Sequence, residues 1–515
     1  MSQQKKGIIR AIEDLIIESD TPSKKLKILM TGAEVAPYAY VGGVAMVLSS
    51  LSKSLMSLGH DVRLFMPKFY GIDEEKYDIV MLHEGIQIPT GDDHTPYLTC
   101  NIKYAKSPAH APIYFLENQE YYEKRANIYG YSDDPTRWAL LSRGALEFIR
   151  TKVFVPDVVH CNDWHTGLIP NYIKTTYNKD PVIKDIATIF TIHSIRHQGV
   201  FDHHNVPELD RDDGRSDVAP LFSDRISKQN FMRRGILHSD LLTTVSKKYA
   251  REVLTPEYGE GLDKLLLELQ GKFFGIMNGL DYEEMDPRTD KLIPQNYGIG
   301  TLNRRIHNKS ALQKEFELPV NENIPVFGTV GRLDYQKGLD LVIRTLQHVL
   351  TSYNVQFIQV GGGDSTLSYQ LQSLKEQFPD KVGIHPYPNF TLPRLVFSGA
   401  DVILYPSRFE PCGVVQLEAM RYGAIPLVRN VGGLSDSVAN FDSVEMSGTG
   451  FVFKEFNEFA LFGQIVRSIE LYNHKSIWTR LQKNAMKEDF SWESSAKEYV
   501  KLYQLALSFR NKARI

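Results

Sequence analysis

Two glutamates, Glu410 and Glu418, lie eight residues apart in the segment from Ser407 to Gly423. They flank a Pro-Cys-Gly turn that is predicted to open a helix directly after a buried strand, Asp401 to Tyr405. If the whole interval were helical, the carboxylates would lie about 12 Å apart and roughly 80° around the axis. That distance exceeds the roughly 5 to 9.5 Å of a hydrolytic acid/base pair, so the spacing disfavours a glycosidase.

The same spacing suits one elongated ligand with a carboxylate near each end. The amides of the first helical turn, around Val414 and Val415, would face an anion between them, because helix amino termini attract anions. A sugar nucleotide has this shape. Glutamates are also common near helix starts, where they complement the dipole, so Glu418 alone fits either interpretation.

A second group of candidate residues lies in the loop GRLDYQKG, Gly331 to Gly338, ahead of a predicted helix from Leu339 to Leu350. Lys337 near a helix amino terminus opposes the dipole, at a cost of roughly a few tenths to one kcal/mol unless an anion is bound there. Arg332 offers a planar guanidinium to the same anion, so the two cations predict a diphosphate site. The alternative is a surface lysine that bends into solvent.

Three further loops carry weaker signals. Gly42 and Gly43 let a phosphate approach the next helix start, or they serve only the turn. His165, in HCNDWHTG, either faces a ligand or is structural, and Asp163 is predicted to cap the helix that follows. His193 has a weaker case for the same role as His165. The glycines of VGGGD are interpreted as a turn.

The elements that position these loops alternate between short β-rich runs and helical patterns from Lys25 onward. The runs KLKILMT, AMVLSSLSKSLMSLGH and DVRLFMP form a βαβ unit, which predicts a parallel sheet. The alternation restarts at VFGTVGR, after an irregular polar stretch from Asp281 to Asn303. Two such series predict an α/β protein with two Rossmann-like domains facing a cleft, and ligands at the carboxyl ends of the strands.

Length and composition agree with two sizeable globular domains, since the chain has 515 residues, 42% hydrophobic residues and a net charge of −3. No basic segment with interleaved aromatics predicts a nucleic-acid partner. No apolar run reaches the length of a membrane span. Three cysteines without metal-ligand spacing indicate a reducing, cytoplasmic compartment and no disulfide framework. The oligomeric state is not determined by the sequence.

The predicted domain organisation has four parts. Residues 1–24 form an amphipathic extension and linker, and its helix at residues 8–18 is interpreted as docked on its own domain or on a partner subunit rather than as a membrane anchor. Residues 25–290 form the first domain and residues 291–489 the second. Residues 490–515 form a helix that crosses back to the first domain.

Several motifs in this order resemble the bacterial glycogen synthase and plant starch synthase family, retaining glucosyltransferases of the GT-B fold. They are EVAPYAYVGGVA, HCNDWHTGL, TVSKKYARE, GIMNGLD, GRLDYQKGLDL, the block from SRFEPCG to VGGLSDSV, and DFSWESSAKEY. The resemblance covers the chain from Lys25 to about Leu507. The block from SRFEPCG to GGL is highly specific, whereas the Glu-x7-Glu spacing marks only the wider group of retaining GT-B transferases.

The resemblance implies a donor site made mainly by the second domain. Arg332 and Lys337 would bind the diphosphate of ADP-glucose or UDP-glucose, and the amides of Val414 and Val415 would add hydrogen bonds. Glu418 would lie toward the ribose. With two fixed cations at the leaving nucleotide, no metal or other cofactor is expected.

The resemblance also implies how glucose is held and transferred to an α-glucan acceptor. Glu410 would contact the glucose and its developing positive charge, while His165, assisted by Asp133 and Asn278, would hold it from the first domain. Attack would occur on the front face, with a phosphate oxygen taking the acceptor's proton, and domain closure would complete the site. The remaining implied donor contacts are Gly42 and Gly43.

The chain departs from the family pattern at several positions. Tyr40 and Met46 replace a lysine and an aspartate of the glycine loop, and Val415 replaces a common threonine. Pro388, with Tyr387 beside it, stands where the family places a base-stacking aromatic, so the choice between ADP and UDP stays open. Two alternatives therefore accompany the synthase hypothesis: a related transferase with another acceptor or sugar, and a catalytically weak glucan-binding or regulatory homologue.

Overall fold

The computed structural model describes residues 24–106, 110–199 and 211–512, which form two compact units. The first contains the described residues up to Val245, Ala250–Ile276, and the carboxyl-terminal residues from Trp492 onward. The second contains Ser246–Tyr249 and Met277–Ser491. The units therefore divide after residues 276 and 491, whereas the sequence placed the boundaries at residues 290 and 489. The helix predicted at residues 8–18 lies outside the described residues.

A sheet of nine strands forms the centre of the first unit as described, in the order β3-β4-β5-β2-β1-β6-β7-β8-β9. Its strands are β1 (Lys27–Thr31), β2 (Asp61–Pro67), β3 (Val80–Pro89), β4 (Tyr97–Ala105), β5 (Ile113–Glu117), β6 (Val158–Asn162), β7 (Ala187–Ile192), β8 (Leu241–Thr244) and β9 (Phe273–Gly275). Its helices are α1 (Gly43–Ser57), α2 (Asp134–Arg150), α3 (Leu168–Lys174), α4 (Phe231–His238), α6 (Asp263–Glu268) and α15 (Trp492–Lys512), and α5 (Lys247–Glu252) is divided between the units.

Strands β1 and β2 pair in parallel around α1, as the βαβ pattern predicts. Both strands are mostly buried, which explains their near-continuous apolar sequence. At one edge, β4 pairs antiparallel with β3 and with β5, and the sequence did not predict this three-stranded extension. The outer strand β3 is largely exposed, so it lacks the apolar run that marks the central strands.

Helix α15 packs within the first unit through two tyrosines one helical turn apart. The Tyr503 hydroxyl lies 2.9 Å from Nδ1 of His160 on β6, and the Tyr499 ring lies 5.4 Å from the same imidazole. Near the end of the helix, Arg510 donates to the Lys184 carbonyl at 2.6 Å. The last described helix thus covers the middle of the first sheet, because β6 pairs with β1 and β7.

The second unit is built on six parallel strands in the order β12-β11-β10-β13-β14-β15. They are β10 (Val326–Val330), β11 (Gln356–Val360), β12 (Val382–His385), β13 (Val402–Tyr405), β14 (Ile425–Arg429) and β15 (Phe451–Phe453). Its helices are α7 (Arg305–Glu315), α8 (Leu339–Ser352), α9 (Ser365–Gln377), α10 (Leu392–Gly399), α11 (Val415–Arg421), α12 (Gly432–Ser437), α13 (Glu458–Asn473) and α14 (Lys475–Lys487). The strand order reverses between β10 and β13, where ligands bind in sheets of this type.

A buried ion pair ties helix α7 to the sheet of the second unit. Nζ of Lys309 lies 2.7 Å from Oδ2 of Asp401, which also accepts a hydrogen bond from the Val326 amide at the start of β10. Lys309 further contacts the Tyr472 hydroxyl at 2.7 Å. Both charged side chains are almost fully buried, so each depends on the other.

We expect Lys309→Met to destabilise the second unit by about 3 to 5 kcal/mol, because it leaves the Asp401 carboxylate buried without its cation. Lys314→Met is the matched control, since Lys314 is an exposed lysine of the same helix. Urea denaturation followed by circular dichroism measures both variants. Equal denaturation midpoints for the two would contradict the assignment.

Candidate active site

The loops after β10 and β13 meet at a partly buried ion pair in the second unit. Lys337 ends the short turn Tyr335–Lys337, and its Nζ lies 2.6 Å from Oε2 of Glu410 and 2.7 Å from the Tyr405 hydroxyl. Burial lowers the pKa of Lys337, but the Glu410 carboxylate and Tyr405 outweigh it and raise the pKa above its usual value. The alternative of a lysine bent into solvent does not describe this structure.

Backbone contacts hold the same two loops together. Gly338 has φ +72°, and a Cβ there would lie 2.2 Å from the Pro406 carbonyl oxygen. The Arg408 amide donates to the Gln336 carbonyl at 2.8 Å. The Arg408 guanidinium then binds both carboxylate oxygens of Asp340 on α8, at 2.7 and 2.9 Å. These contacts fix Lys337 opposite Glu410.

A pair of glycines supports the Glu410 loop from behind. The Gly433 amide donates to the Glu410 carbonyl at 3.1 Å. A Cβ on Gly432 would lie 1.8 Å from the Glu410 carbonyl oxygen, and one on Gly433 would lie 2.0 Å from that of Cys412. The side chain of Cys412 is buried, and burial raises its thiol pKa to about 12, as suits a packed side chain.

Arg332 differs from Lys337 in its exposure to solvent, because its side chain is 76% exposed. Its ion-pair partner among the described residues is Asp334, with 3.9 Å between the closest atoms. The structure therefore gives the two predicted diphosphate ligands different surroundings: Lys337 is bound to Glu410, and Arg332 extends into solvent.

Helix α11 begins at Val415, with Val414 as its amino-terminal cap residue and no side chain capping it. Glu418 lies in its first turn, where burial raises its pKa to about 7, Arg394 opposes the shift and Glu284 adds to it. Glu410 faces Lys337 instead. The two glutamates therefore have different charged neighbours, and their separate roles stay predictions.

Asn278 belongs to the second unit, although the sequence grouped it with His165 and Asp133 of the first. Its side chain is 7% exposed, and its Oδ1 has no hydrogen-bond partner among the described residues. Its backbone N–H donates to the sulfur of Cys412, next to the Glu410 loop. Asn278 lies in the second unit because that unit resumes at Met277, a boundary that the sequence pattern did not predict.

The glycine loop of the first unit is held by a carboxylate that the sequence analysis did not single out. Glu34 accepts hydrogen bonds from the Val41 amide at 2.5 Å and from the Gly42 amide at 3.0 Å. Burial raises the pKa of Glu34, while these amides and the Tyr129 hydroxyl oppose the shift. The amide of Gly42, a predicted donor contact, is thus already bound by a carboxylate. An acidic residue three positions after the end of β1 was the signal available in the sequence.

Gly43, the first residue of α1, has open space around it, since a Cβ there would meet no described atom within 4 Å. The two variant positions of this loop are also accessible. Tyr40 is 54% exposed and Met46 is 37% exposed. Their side chains therefore contribute more to the surface of the loop than to the core.

His165 lies in a group of aromatic rings after β6. Its imidazole is 3.9 Å from the Trp164 ring, 4.9 Å from the Trp138 ring and 5.1 Å from the Tyr129 ring, between centroids. Burial, with a smaller contribution from nearby His197, lowers its pKa to about 3. The imidazole is therefore neutral near neutral pH. Tyr129 links it to the Glu34 carboxylate of the glycine loop.

Asp133 and Asp163 have partners that their sequence positions did not predict. Asp133 precedes α2 without capping it, and its Oδ2 lies 2.5 Å from the Arg125 guanidinium. Asp163 does not cap the helical turn that follows, because its backbone has φ +55° and its Oδ1 accepts from the His193 amide at 2.8 Å. The prediction of a cap at Asp163 was wrong. His193 is buried against Asn162, and burial lowers its pKa to about 4.

Comparison with known proteins shows the family to which this chain belongs. Residues 27–268 match the model of the starch synthase catalytic domain, and residues 311–486 match that of glycosyl transferases group 1. A glycogen synthase of Moorella thermoacetica is 37% identical over 95% of this chain and 99% of its own length. The chain belongs to the glycogen and starch synthase family. A family member from Lactobacillus acidophilus, also a glycogen synthase, is 39% identical over 93% of this chain and 99% of its own.

Solved structures agree with this family assignment. The catalytic domain of starch synthase IV from Arabidopsis thaliana, bound to ADP and acarbose, matches with a TM-score of 0.82 and 30% identity, covering 94% of this chain and all of that one. A sucrose-phosphate synthase from Thermosynechococcus elongatus, at 17% identity and a TM-score of 0.58, shares the fold. The predicted α/β class with two Rossmann-like domains of GT-B type is confirmed.

The prediction of an enzyme that transfers glucosyl groups is likewise confirmed by the synthases it matches. Within the part of the chain that the structure describes, no helix is long and apolar enough to cross a membrane. The roles of individual site residues stay predictions, which the geometry above makes specific enough to test.

The raised pKa of Glu418 predicts a pH dependence of stability. A carboxyl whose pKa is higher in the folded than in the unfolded protein stabilises the fold at low pH, and that contribution is lost as pH rises through about 7. We therefore expect Glu418→Gln to become more stable relative to the parent as pH increases from about 5 to about 8. Thermal unfolding midpoints of both proteins across this range measure the difference. A constant difference would contradict the raised pKa.

Proposed function

We propose that this family member transfers glucose, with retention of the anomeric configuration, from ADP-glucose or UDP-glucose to the non-reducing end of an α-1,4-glucan. The observation that carries the proposal is the partly buried contact of Lys337 with Glu410 and Tyr405, where the strand order reverses. A cation fixed beside a carboxylate at that point suits a reaction in which a negative leaving group separates from a positively charged sugar.

In the proposed reaction, the bond between glucose C1 and the donor's phosphate oxygen breaks, and the electron pair stays on the phosphate. Lys337, with the exposed and adaptable Arg332, neutralises that charge. The acceptor hydroxyl then bonds to C1 from the same face, and its proton passes to the phosphate oxygen. Glu410 stabilises the positive charge that develops on the sugar between these events.

Other residues are proposed to position the two substrates. The amides of Val414 and Val415 would bind the phosphates, and Glu418 the ribose; its pKa of about 7 makes the carboxylate state available near neutral pH. That starch synthase IV was solved with ADP supports ADP-glucose as the first donor to examine. Neither a metal nor another cofactor forms part of this proposal, because Lys337 and Arg332 supply the positive charge.

The first unit is proposed to contact glucose and acceptor through side chains near its glycine loop. His165, neutral because burial lowers its pKa to about 3, would donate or accept a hydrogen bond rather than carry charge. Asp133 offers a further acceptor for sugar hydroxyls. In the second unit, the buried, unpaired Oδ1 of Asn278 is proposed to accept from a sugar hydroxyl as well. Gly43 would let the donor approach the start of α1.

The proposal includes a reducing, cytoplasmic location, which the free and buried state of the three cysteines supports. The direct test of the activity is to incubate the protein with ADP-glucose or UDP-glucose and glycogen, and to follow nucleotide release and chain length. Release coupled to chain extension supports the proposed reaction. Release without extension indicates another acceptor.

We expect Lys337→Met to lower kcat by at least about 100-fold, because one preorganised charge at the leaving group is lost. The single change leaves Glu410 buried without its cation, so it also destabilises the fold. The double variant Lys337→Met/Glu410→Gln removes both charges and should recover stability but not activity. Lys314→Met serves as the surface-lysine control. Parent-like turnover in a folded Lys337 variant would refute the diphosphate assignment.

A second candidate function is a catalytically weak glucan-binding or regulatory homologue. It is favoured by the exposed Tyr40 and Met46 at positions where the family has a lysine and an aspartate. It is also favoured by the binding of the Gly42 amide to Glu34, which leaves the loop with fewer groups for a phosphate.

The variant Tyr40→Lys/Met46→Asp separates the two candidates. Under the leading proposal the parent is active, and the added lysine lowers the donor KM by about tenfold through one charge-assisted contact. Steady-state kinetics with ADP-glucose and UDP-glucose measure the change, and Tyr40→Gln/Met46→Asn controls for polarity alone. Activity that is absent in the parent and present only in the lysine-aspartate variant would establish the second candidate instead.

A further inference from the structure

Two adjoining surface pockets of the first unit are lined by more positive than negative side chains. Their volumes are about 360 and 520 Å³, and both are lined by Arg211, Asp212 and Lys228. Arg233 lines only the smaller pocket, and Arg225 lines only the larger one. We call the two pockets together the basic pocket and define it by its four cations Arg211, Arg225, Lys228 and Arg233. None of them has a role in the reaction proposed above.

The acidic residue shared by both pockets is already neutralised from within the protein. Oδ1 and Oδ2 of Asp212 accept hydrogen bonds from the guanidinium of Arg234 at 2.7 and 2.9 Å, and the Arg234 side chain is fully buried. The Asn230 amide also donates to Oδ2 of Asp212, at 2.9 Å. Asp212 therefore belongs to a buried ion pair and does not offset the cations of the basic pocket.

The other two acidic residues of the lining also have local partners. Oε1 of Glu260 lies 3.5 Å from Nε of Arg196, and both residues line the smaller pocket. Oδ1 of Asp213 accepts from the amides of Arg215 and Ser216 at 2.8 and 2.9 Å, which ties the carboxylate into a turn. The charge of Asp213 is thus the one negative charge of the described lining that has no cation bound to it.

The four cations of the basic pocket have no ion-pair partner among the residues that the structure describes. Arg211, Arg225 and Lys228 are exposed, and Arg233 is half-buried. The stem of Arg233 lies against Gly214, where a Cβ would be 3.0 Å from the Arg233 Cγ. Unpaired charges of one sign around a concave surface raise the local potential and attract an ion of opposite sign. The basic pocket therefore suits an anion.

The lining also limits which anion fits. Leu262 is the one apolar side chain among the described residues of the lining, and no aromatic residue lines either pocket there. A nucleobase or a sugar ring would find no aromatic face to stack on. A protein segment would find no aromatic or aliphatic anchor point. The surroundings favour a small anion that carries several charges and no large apolar part.

We propose that the basic pocket binds a condensed phosphate with three or more phosphate groups, such as a short polyphosphate chain. Arg211 and Lys228, which line both pockets, bind its middle, and Arg225 and Arg233 bind its two ends. The planar guanidinium groups of the arginines match phosphate oxygens in pairs. Each pocket has a volume usual for a small-molecule site. This binding is a further activity of the first unit, independent of glucose transfer.

The test is isothermal titration calorimetry with sodium tripolyphosphate in a magnesium-free buffer of low ionic strength. It compares the parent with Lys228→Glu, which changes a residue of both pockets, and with Arg225→Gln and Arg233→Gln, which change one pocket each. Arg251→Gln is the matched control, because Arg251 is an exposed arginine of the first unit outside the basic pocket. Inorganic phosphate and citrate are the comparison anions. Circular dichroism checks that each variant is folded.

We expect the parent to bind tripolyphosphate at least about tenfold more tightly than inorganic phosphate, because several cations act on one molecule. Arg225→Gln and Arg233→Gln should each weaken binding by about threefold to tenfold, as for one charge-assisted contact near the surface. Lys228→Glu should weaken it further, because it replaces a shared cation by an anion. Affinity should fall as sodium chloride rises from about 0.05 to about 0.2 M, since salt screens exposed charges.

Three results would overturn the proposal. They are no binding of tripolyphosphate by the parent, binding of citrate as tight as that of tripolyphosphate, and a loss in Arg251→Gln equal to that in Lys228→Glu.

The proposed donor site of the second unit is tested separately with the double variant Lys337→Met/Glu410→Gln. This variant should retain the tripolyphosphate binding that Lys228→Glu weakens. The reverse result would assign the anion to the donor site and would also overturn the proposal. Neither measurement needs a sugar nucleotide, so a parent that transfers no glucose would refute the proposed function without affecting the basic pocket.

Discussion

The ion pair between Lys337 and Glu410 is the interaction on which the organisation of the second unit's site depends. The Glu410 side chain is buried and that of Lys337 is partly buried, so the carboxylate depends on the cation beside it. The loops after β10 and β13 must therefore keep a fixed separation. The close backbone approaches at Gly338 and Gly432 meet that requirement, because any Cβ there would push one loop away. The close backbone packing of these loops thus serves to keep the Lys337–Glu410 ion pair together.

In the first unit, a carboxylate likewise holds the glycine loop in place. Glu34 binds the amides of Val41 and Gly42, and through Tyr129 it is linked to the ring group around His165. In each unit, a group suited to an anion is paired with a glutamate of the same unit.

The sequence predicted the parts of this fold that local composition controls. Buried parallel strands such as β1, β10 and β13 read as short apolar runs and were located within one or two residues. The exposed strand β3 has no such run, so the antiparallel edge was missed. The site residues divide in the same way, into those that local sequence predicts and those that it does not. Lys337 and Glu410 could be chosen from their loops, but their contact with each other and the contact of Asp163 with His193 depend on distant segments that no local pattern specifies.

Glycines show most directly what the sequence alone could not resolve. The pairs Gly42-Gly43 and Gly432-Gly433 look alike in the sequence, yet their surroundings in the structure differ. Carbonyl oxygens lie about where the Cβ atoms of the second pair would be, so the fold itself requires glycine there. At Gly43 nothing within the described residues excludes a side chain. Packing therefore does not explain why this position is glycine, whereas it explains Gly432 and Gly433.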